Sequence, residues 1–422
     1  MRFLKNFLSF SSGVLISRTT GLLREIFIAY FLGGSGKADA FYVAFRIPSL
    51  FRDVLGEQTF NNAFIPAYTE SGESREFLWA VFLQFMSIVF TVVLLGTLFA
   101  PYLVMIIAPG FLKDPARFHL TVTLTRITFP SLLFFSLSAM FMAILNVRGK
   151  FFISAVSPSI INLTIITLPF LLKSMDKSIA LAWGLLIGVA LQSLILYMFI
   201  KEFPSKPDFS HSSLKTFWKL IVPVLVSYSF TEINLFFGTF LASFFMVGSI
   251  AYLNYAFRLF HLPVALIGVA MSIVAITDFS RMHALNKDTR NHLKKVLLLN
   301  ITLTLPTAII LILLSRPLVQ LVYQRGSFGH QDLIYTTKVL VIYLLSLPFV
   351  NISKILTGYV FSRKDSRTAN ISFAIGTVVD IITAIILGFI IGIGFYAIAW
   401  GHVAGSISRS SYLIHRILLK RE

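Results

Sequence analysis

The sequence predicts an all-α polytopic membrane protein of about twelve transmembrane helices. Three observations carry that prediction. The mean hydropathy is +0.83. Charged residues make up only 13% of the 422 positions, against roughly 25% in soluble domains. Apolar runs recur at the length of about 20 residues that a helix needs to cross a bilayer. This composition excludes an ordinary soluble enzyme and a disordered chain. The absence of cysteine removes disulfides, thiolate catalysis and cysteine-ligated metals.

The spans fall near 8–33, 38–66, 78–108, 119–146, 152–173, 177–200, 216–245, 249–277, 293–322, 332–360, 367–391 and 393–417. The first is too long for the apolar core of a signal peptide, it carries Arg18, Arg24 and Glu25, and no small-residue cleavage site follows it. It is therefore read as a span. The longest joining segments are 201–215 and 278–292, too short for a separate soluble domain. The expected organisation is an N-terminal lobe at 1–200, a linker at 201–215 and a C-terminal lobe at 216–422.

The charge that remains is lopsided, 36 Lys and Arg against 18 Asp and Glu, a net +18. In a soluble chain that excess would suggest nucleic acid; in a membrane protein it marks cytoplasmic loops. Alternate loops are basic: Arg2 and Lys5, Arg148 and Lys150, Lys201, Lys206 and Lys215, the stretch from Arg281 to Lys295, Arg363, Lys364 and Arg367, and the tail Arg416, Lys420 and Arg421. The intervening loops, such as 33–38, 112–117, 173–177 and 246–249, are nearly neutral. Both termini are thus expected in the cytoplasm. One loop departs from the pattern, where Glu70, Glu73 and Glu76 outweigh Arg75.

The chain also repeats itself at an offset of 212 residues. YVAFR at 42–46 returns as NYAFR at 254–258, with Gly36 and Gly248, Gly56 and Gly268, and Ala63 and Ala275 in step. Arg148 after span four and Arg363 after span ten form a fainter echo. Six spans per half keep equivalent helices in one orientation. A parallel repeat of this kind implies two lobes about an axis along the membrane normal, with a central cavity suited to alternating access.

Spans one and two carry charge where lipid is expected. At an α-helical turn of about 100° per residue, Ser17, Arg18, Gly21, Arg24, Glu25 and Ile28 share one face. Span two adds Asp39, Arg46, Arg52, Asp53 and Glu57, with Pro48 expected to kink it. Several such side chains facing hydrocarbon would together cost more than about 10 kcal/mol, so they face a wet cavity or each other. The functional reading is an anion site, since arginine grips phosphate or carboxylate bidentately. The structural alternative is internal ion pairing, as between Arg24 and Glu25 or Arg46 and Asp53. Arg258, the repeat equivalent of Arg46, has no acid within ten residues of sequence.

Elsewhere the polar signals are sparser. Glu232 and Asp380, in spans seven and eleven, either bind a monovalent cation or proton or sit neutral and hydrogen-bonded. Arg126, Lys354 and Arg409 lie nearer span ends, where snorkelling accounts for them. His261, one turn after Arg258, lines the cavity or packs. The glycines at 33, 34 and 36 are not a phosphate loop, because no strand precedes them and no GK[ST] follows.

At these residues the chain resembles the MurJ/MviN lipid II flippase family, within the multidrug/oligosaccharidyl-lipid/polysaccharide exporter superfamily. The resemblance rests on SSGVLISRTTGLLREIFIAYFLG at 11–33, ADAFYVAFRIPSLFRDVLGEQTFNNAFIPAYTE at 38–70 and YAFRLFHLPVALIGVAM at 255–271. It implies that Arg18, Arg24, Arg52 and Arg258 hold the diphosphate and anionic headgroup of lipid II, with Ser17, Glu25, Asp39 and Arg46 around them. Asp39 falls on a family acid near the periplasmic end of span two, and Glu25 stands where relatives often have Asp. It further implies a sodium site in the second lobe near Glu232 and Asp380, although Gly376 occupies the place of an expected Asn ligand. Family members carry fourteen spans, the last two forming a groove for the polyprenyl tail. With twelve here, the tail is expected to ride on the core helices or in a groove completed by a partner.

The expected activity is therefore movement of undecaprenyl-diphosphate-linked disaccharide-pentapeptide from the cytoplasmic to the periplasmic leaflet of a bacterial inner membrane. The transporter is expected to act as a monomer without cofactor or nucleic acid, driven by a sodium or proton gradient or by membrane potential. Another exporter of the same superfamily is the alternative, although a net-positive cavity disfavours cationic drugs. A membrane enzyme acting on polyprenyl phosphates is a more distant one, because the short loops offer few catalytic acids or metal ligands.

Overall fold

The computed structural model describes residues 2–419 apart from 56, 201–204, 286–288 and 364; within helices, the side chains at 2–9, 51, 53–59, 61–62, 222–234, 284 and 418–419 are outside the description. The described chain is helical throughout, with no strand among these residues. It divides into two compact units, Met1–Phe240 and Leu241–Glu422. A helix occupies each of the twelve expected segments. Seven are long and apolar enough to cross a membrane by length and composition, and a pair bent by 44° makes an eighth.

In the first unit the helices are α1 (Arg2–Leu32), α2 (Gly36–Leu55), α3 (Glu57–Glu70), α4 (Arg75–Leu98), α5 (Ala100–Ile107), α6 (Pro115–Thr128), α7 (Ser131–Val147), α8 (Phe151–Val156), α9 (Pro158–Leu171) and α10 (Lys177–Ile200), followed by α11 (Ser212–Ala242). Local chemistry sets their ends. Gly33 takes a left-handed φ of 56° after α1, a conformation that only glycine adopts without strain. Ser74 and Asp114 cap α4 and α6 by accepting from the backbone N–H of Phe77 and Arg117, satisfying donors that a helix start leaves open. Pro48 lies inside α2 without ending it. The fourth span breaks instead at Phe129 and Pro130, between α6 and α7, where proline removes a backbone donor.

The core of this unit packs α10 on α9 and α7, α2 on α6, α3 on α7, and α1 on α8 and α9. Gly184 and Gly188 allow the closest approach. A Cβ at either would lie 2.8 or 2.9 Å from the Cα of Ile165 or Ile161 on α9. In a membrane, where lipid is as apolar as leucine, such small-residue spacing lets backbones meet and pack.

The second unit holds α12 (Ser249–Pro263), a π-helical turn (Val264–Val269), α13 (Ala270–Ala284), α14 (Arg290–Leu313), α15 (Ser315–Tyr323), α16 (His330–Leu345), α17 (Leu347–Ser362), α18 (Ser366–Ile385) and α19 (Tyr396–Ile414). Its tenth span breaks at Ser346, just before Leu347 and Pro348, the counterpart of the break in span four. α19 packs on α18, and α13 and α14 pack on α17. Gly401 and Gly405 of α19 meet α18 as the α10 glycines meet α9. A Cβ at either would lie 2.5 Å from the backbone oxygen of Asp380 or Gly376. The repeat read from sequence in spans two and eight thus extends to spans four and ten and to the five–six and eleven–twelve pairs.

Candidate anion site

α1 and α2 position the charged residues of the first unit. Their side-chain contacts place Glu25 level with Tyr42 and Arg24 level with Phe45. Glu25 is 3% exposed. Its Oε2 accepts from the Tyr42 hydroxyl at 2.8 Å, and its Oε1 pairs with Arg24 Nη2 at 2.6 Å. Arg24 Nη1 donates to Asn162 Oδ1 of α9 at 3.1 Å, and the guanidinium lies 5.3 Å from the Phe45 ring centroid. Asn162 Nδ2 in turn donates to Thr20 Oγ1 at 3.0 Å and to the Ser17 carbonyl at 3.3 Å. Ser17 therefore enters the network through its backbone. The Nε of Arg24 is buried without a hydrogen-bond partner.

The internal ion pair weighed for Arg24 is thus present, and the arginine is fixed rather than neutralised away. One carboxylate, one amide and one ring hold it in a single pose.

Arg18 lies about 9 Å earlier along α1 at 1.5 Å per residue, exposed, with no ion pair among the described residues. On α2, Arg52 lies beyond Phe45 by about 10 Å at 1.5 Å per residue. Arg52 is partly buried and stands 5.2 Å from the centroid of Phe135 on α7. Arg46 is partly buried on α2; the side chain of its proposed partner Asp53, like that of Glu57, lies outside the described residues.

Asp39 belongs to a different place. It is 1% exposed near the start of α2 and pairs with Arg117 Nη1 of α6 at 3.4 Å. Arg117 also approaches Asp114 Oδ2 at 3.5 Å and lies 4.1 Å from the Phe111 ring centroid. Arg24 sits level with Phe45, six residues further along α2. The Asp39–Arg117 pair is a buried clamp on the opposite end of α2 from Arg52.

In the second unit, Arg258 and His261 are exposed on α12. Asp380 is 7% exposed on α18, against Gly401 of α19. Glu232, expected in the second lobe, lies on α11 within the first unit, and its side chain is outside the described residues. Arg126 is exposed, as snorkelling requires. Arg409 departs from that expectation: its guanidinium stacks 3.4 Å from the Phe373 ring centroid and donates to Thr357 Oγ1 at 3.0 Å. The sequence shows no acid for Arg409, but an aromatic face within reach on the neighbouring helix holds it inside.

The profile of the family described as "Lipid II flippase MurJ" matches residues 28–422. The chain belongs to that family. A probable lipid II flippase MurJ of Aquifex aeolicus is 35% identical over 414 residues, covering 97% of this chain and 81% of the relative. One from Rhizobium meliloti is 33% identical, covering 92% and 76%. Among solved structures, a lipid II flippase MurJ in an inward closed conformation matches with a TM-score of 0.85 at 31% identity, over 97% of this chain and 87% of that one. An inward-facing multidrug resistance MATE transporter matches with a TM-score of 0.76 at 15% identity, over 98% and 97%, a likeness of fold alone. Family membership favours the flippase reading over the polysaccharide-lipid and drug exporters.

Proposed function

We propose that this membrane protein translocates lipid II by alternating access, as the activity of its family implies, with Arg18, Arg24 and Arg52 receiving the diphosphate. The observation that carries the site is the fixed pose of Arg24, tied to Glu25 and Asn162. A phosphate oxygen accepts from an arginine N–H in a charge-assisted bond, roughly twice as strong as a neutral one. Arg18 and Arg52 supply further charge. Arg258, on the repeat-equivalent segment of the second unit, is a further proposed contact of the transported lipid. Arg46 and Ser17 support this group, and Asp39 acts at a distance by holding α2 against α6.

No covalent bond is made or broken in this scheme; lipid II leaves chemically unchanged. The isoprenoid tail stays in hydrocarbon while the headgroup crosses. The basic loops support a topology with both termini in the cytoplasm, and a monomer is the proposed working unit. The lobes of the scheme are 1–200 and 216–422. Return of the emptied, net-cationic arrangement inward is favoured by a potential positive outside, by about 2.3 kcal/mol per charge per 100 mV.

A coupling cation at Glu232 and Asp380 stays part of the proposal: Asp380 is buried on α18 against Gly401 of α19, Gly376 brings no side-chain oxygen, and the side chain of Glu232 lies outside the described residues. The test is a leaflet assay of lipid II in vesicles reconstituted with the protein. Accessibility of lipid II on the far leaflet, lost in Arg18→Ala, Arg24→Ala and Arg258→Ala, supports the proposal; retention in all three refutes it.

A further inference from the structure

A groove of about 360 Å³ opens in the first unit between α4, α7 and α10, within the range of small-molecule sites. Trp79 and Phe82 of α4, Leu137 and Phe141 of α7, and Leu194 and Tyr197 of α10 form its walls. Of its polar groups, the Ser193 hydroxyl is met by Ser138 at 2.8 Å and by the Phe134 carbonyl, while Trp79 and Tyr197 add an indole N–H and a phenol to otherwise apolar walls. Leu194 is 50% exposed and Tyr197 40%, so the groove is open along its length.

The groove runs to the helix ends at Ile144 and Ile200, and there the chemistry changes. Arg148 Nη1 donates to the Ile200 carbonyl at 2.8 Å, and Lys150 Nζ donates to the Phe199 carbonyl at 2.9 Å. Both cations cap the end of α10, as basic residues do, and Lys150 is exposed there. Around the start of α4, Glu70, Glu73 and Glu76 outweigh Arg75, so the positive charge at this end of the groove lies on the Arg148 and Lys150 side. An apolar slot ending at two cations matches an amphiphile with one chain and a phosphate.

α7 separates this slot from the arginine site. Phe135 faces Arg52, whereas Leu137 and Phe141 face the groove. A lipid with its phosphate at Arg148 therefore does not have that phosphate at Arg24, which points to a lipid other than the one transported.

We propose that this groove holds an acyl chain of an anionic phospholipid of the surrounding bilayer, with its phosphate at Arg148 and Lys150. The site adds charge attraction to apolar fit, and juxtamembrane basic residues favour anionic lipid by roughly 1 kcal/mol each. It does not depend on the identity of the transported molecule.

The test is native mass spectrometry of the full chain in detergent, titrated with palmitoyl-oleoyl phosphatidylglycerol or phosphatidylcholine. Wild-type protein is expected to retain phosphatidylglycerol about 30-fold better, given two basic contacts of about 1 kcal/mol each. Arg148→Gln/Lys150→Gln should erase that preference, and the charge-keeping Arg148→Lys/Lys150→Arg should restore it. Ala190→Phe, which fills the slot, should lose both lipids; its melting temperature, checked alongside, must stay near wild type. Equal retention of the two lipids by wild type, or an unchanged preference in the Gln pair, overturns the proposal. So does displacement of phosphatidylglycerol by undecaprenyl phosphate in wild type, which would make the isoprenoid chain the occupant. None of these readouts measures translocation, so failure here is distinct from failure of the flippase reading.

Discussion

The two units share a packing device and differ in what they load onto it. In the first, Gly184 and Gly188 bring α10 against α9, and α9 offers Asn162 to the arginine network. In the second, Gly401 and Gly405 bring α19 against α18, and the buried polar residue beside them is Asp380. The paired arginines differ likewise. Arg46 shares its helix with acids and is partly buried; Arg258 is exposed on a helix without one. The repeat supplies a shared scaffold, and the buried polar residues loaded onto it differ between the units.

The largest expected effect separates the units by stability. Arg24→Ala leaves Glu25 buried with its ion partner gone, at a cost of about 3–5 kcal/mol. Arg258→Ala removes an exposed side chain and should change stability by no more than about 0.5 kcal/mol. Thermal unfolding in detergent reads both. Adding Glu25→Gln to Arg24→Ala should recover most of the loss while translocation stays absent. If the single variant melts like wild type, the Arg24–Glu25 network is not a structural unit.

The shared device predicts symmetry instead. Gly188→Ala and Gly405→Ala each place a methyl within about van der Waals overlap of a neighbouring backbone and should cost about 1–3 kcal/mol. Sensitivity in one unit alone would break the comparison.

How much of this was legible in the sequence divides along the same line. Span positions follow from apolar run length, a local property, and helices stand at all twelve. The YVAFR repeat is also local. Asn162 and Arg117 were missed because they reach Arg24 and Asp39 across 138 and 78 residues of chain, and no periodicity links such positions. A lone Asn in an apolar helix, costly without partners, was the available signal for Asn162. Arg409 was misread for the complementary reason: its stacking partner Phe373 is one of 43 phenylalanines, and only the fold singles it out. The glycine spacing in α10 and α19 was plainly visible and was not used.

A smaller effect tests the loops. Asp365 caps α18, and hydrogen bonds from Thr368, with Arg363 and Arg416 nearby, hold its carboxyl below the usual aspartate range. A depressed value stabilises above the unfolded pKa of about 3.9 and is lost as pH falls through the folded value. Asp365→Ala should cost about 1 kcal/mol at pH 7, and its difference from wild type should shrink below about pH 4. A difference independent of pH would remove the charged cap from the account.

The central claim, that the arginines of the first unit receive the diphosphate, is tested most directly by Arg18→Ala. Its side chain is exposed, so its loss does not disturb the core. Lipid II translocation by reconstituted Arg18→Ala should fall by about 10- to 100-fold, the worth of one charged hydrogen bond, with melting unchanged. A wild-type rate from this folded variant would contradict the account.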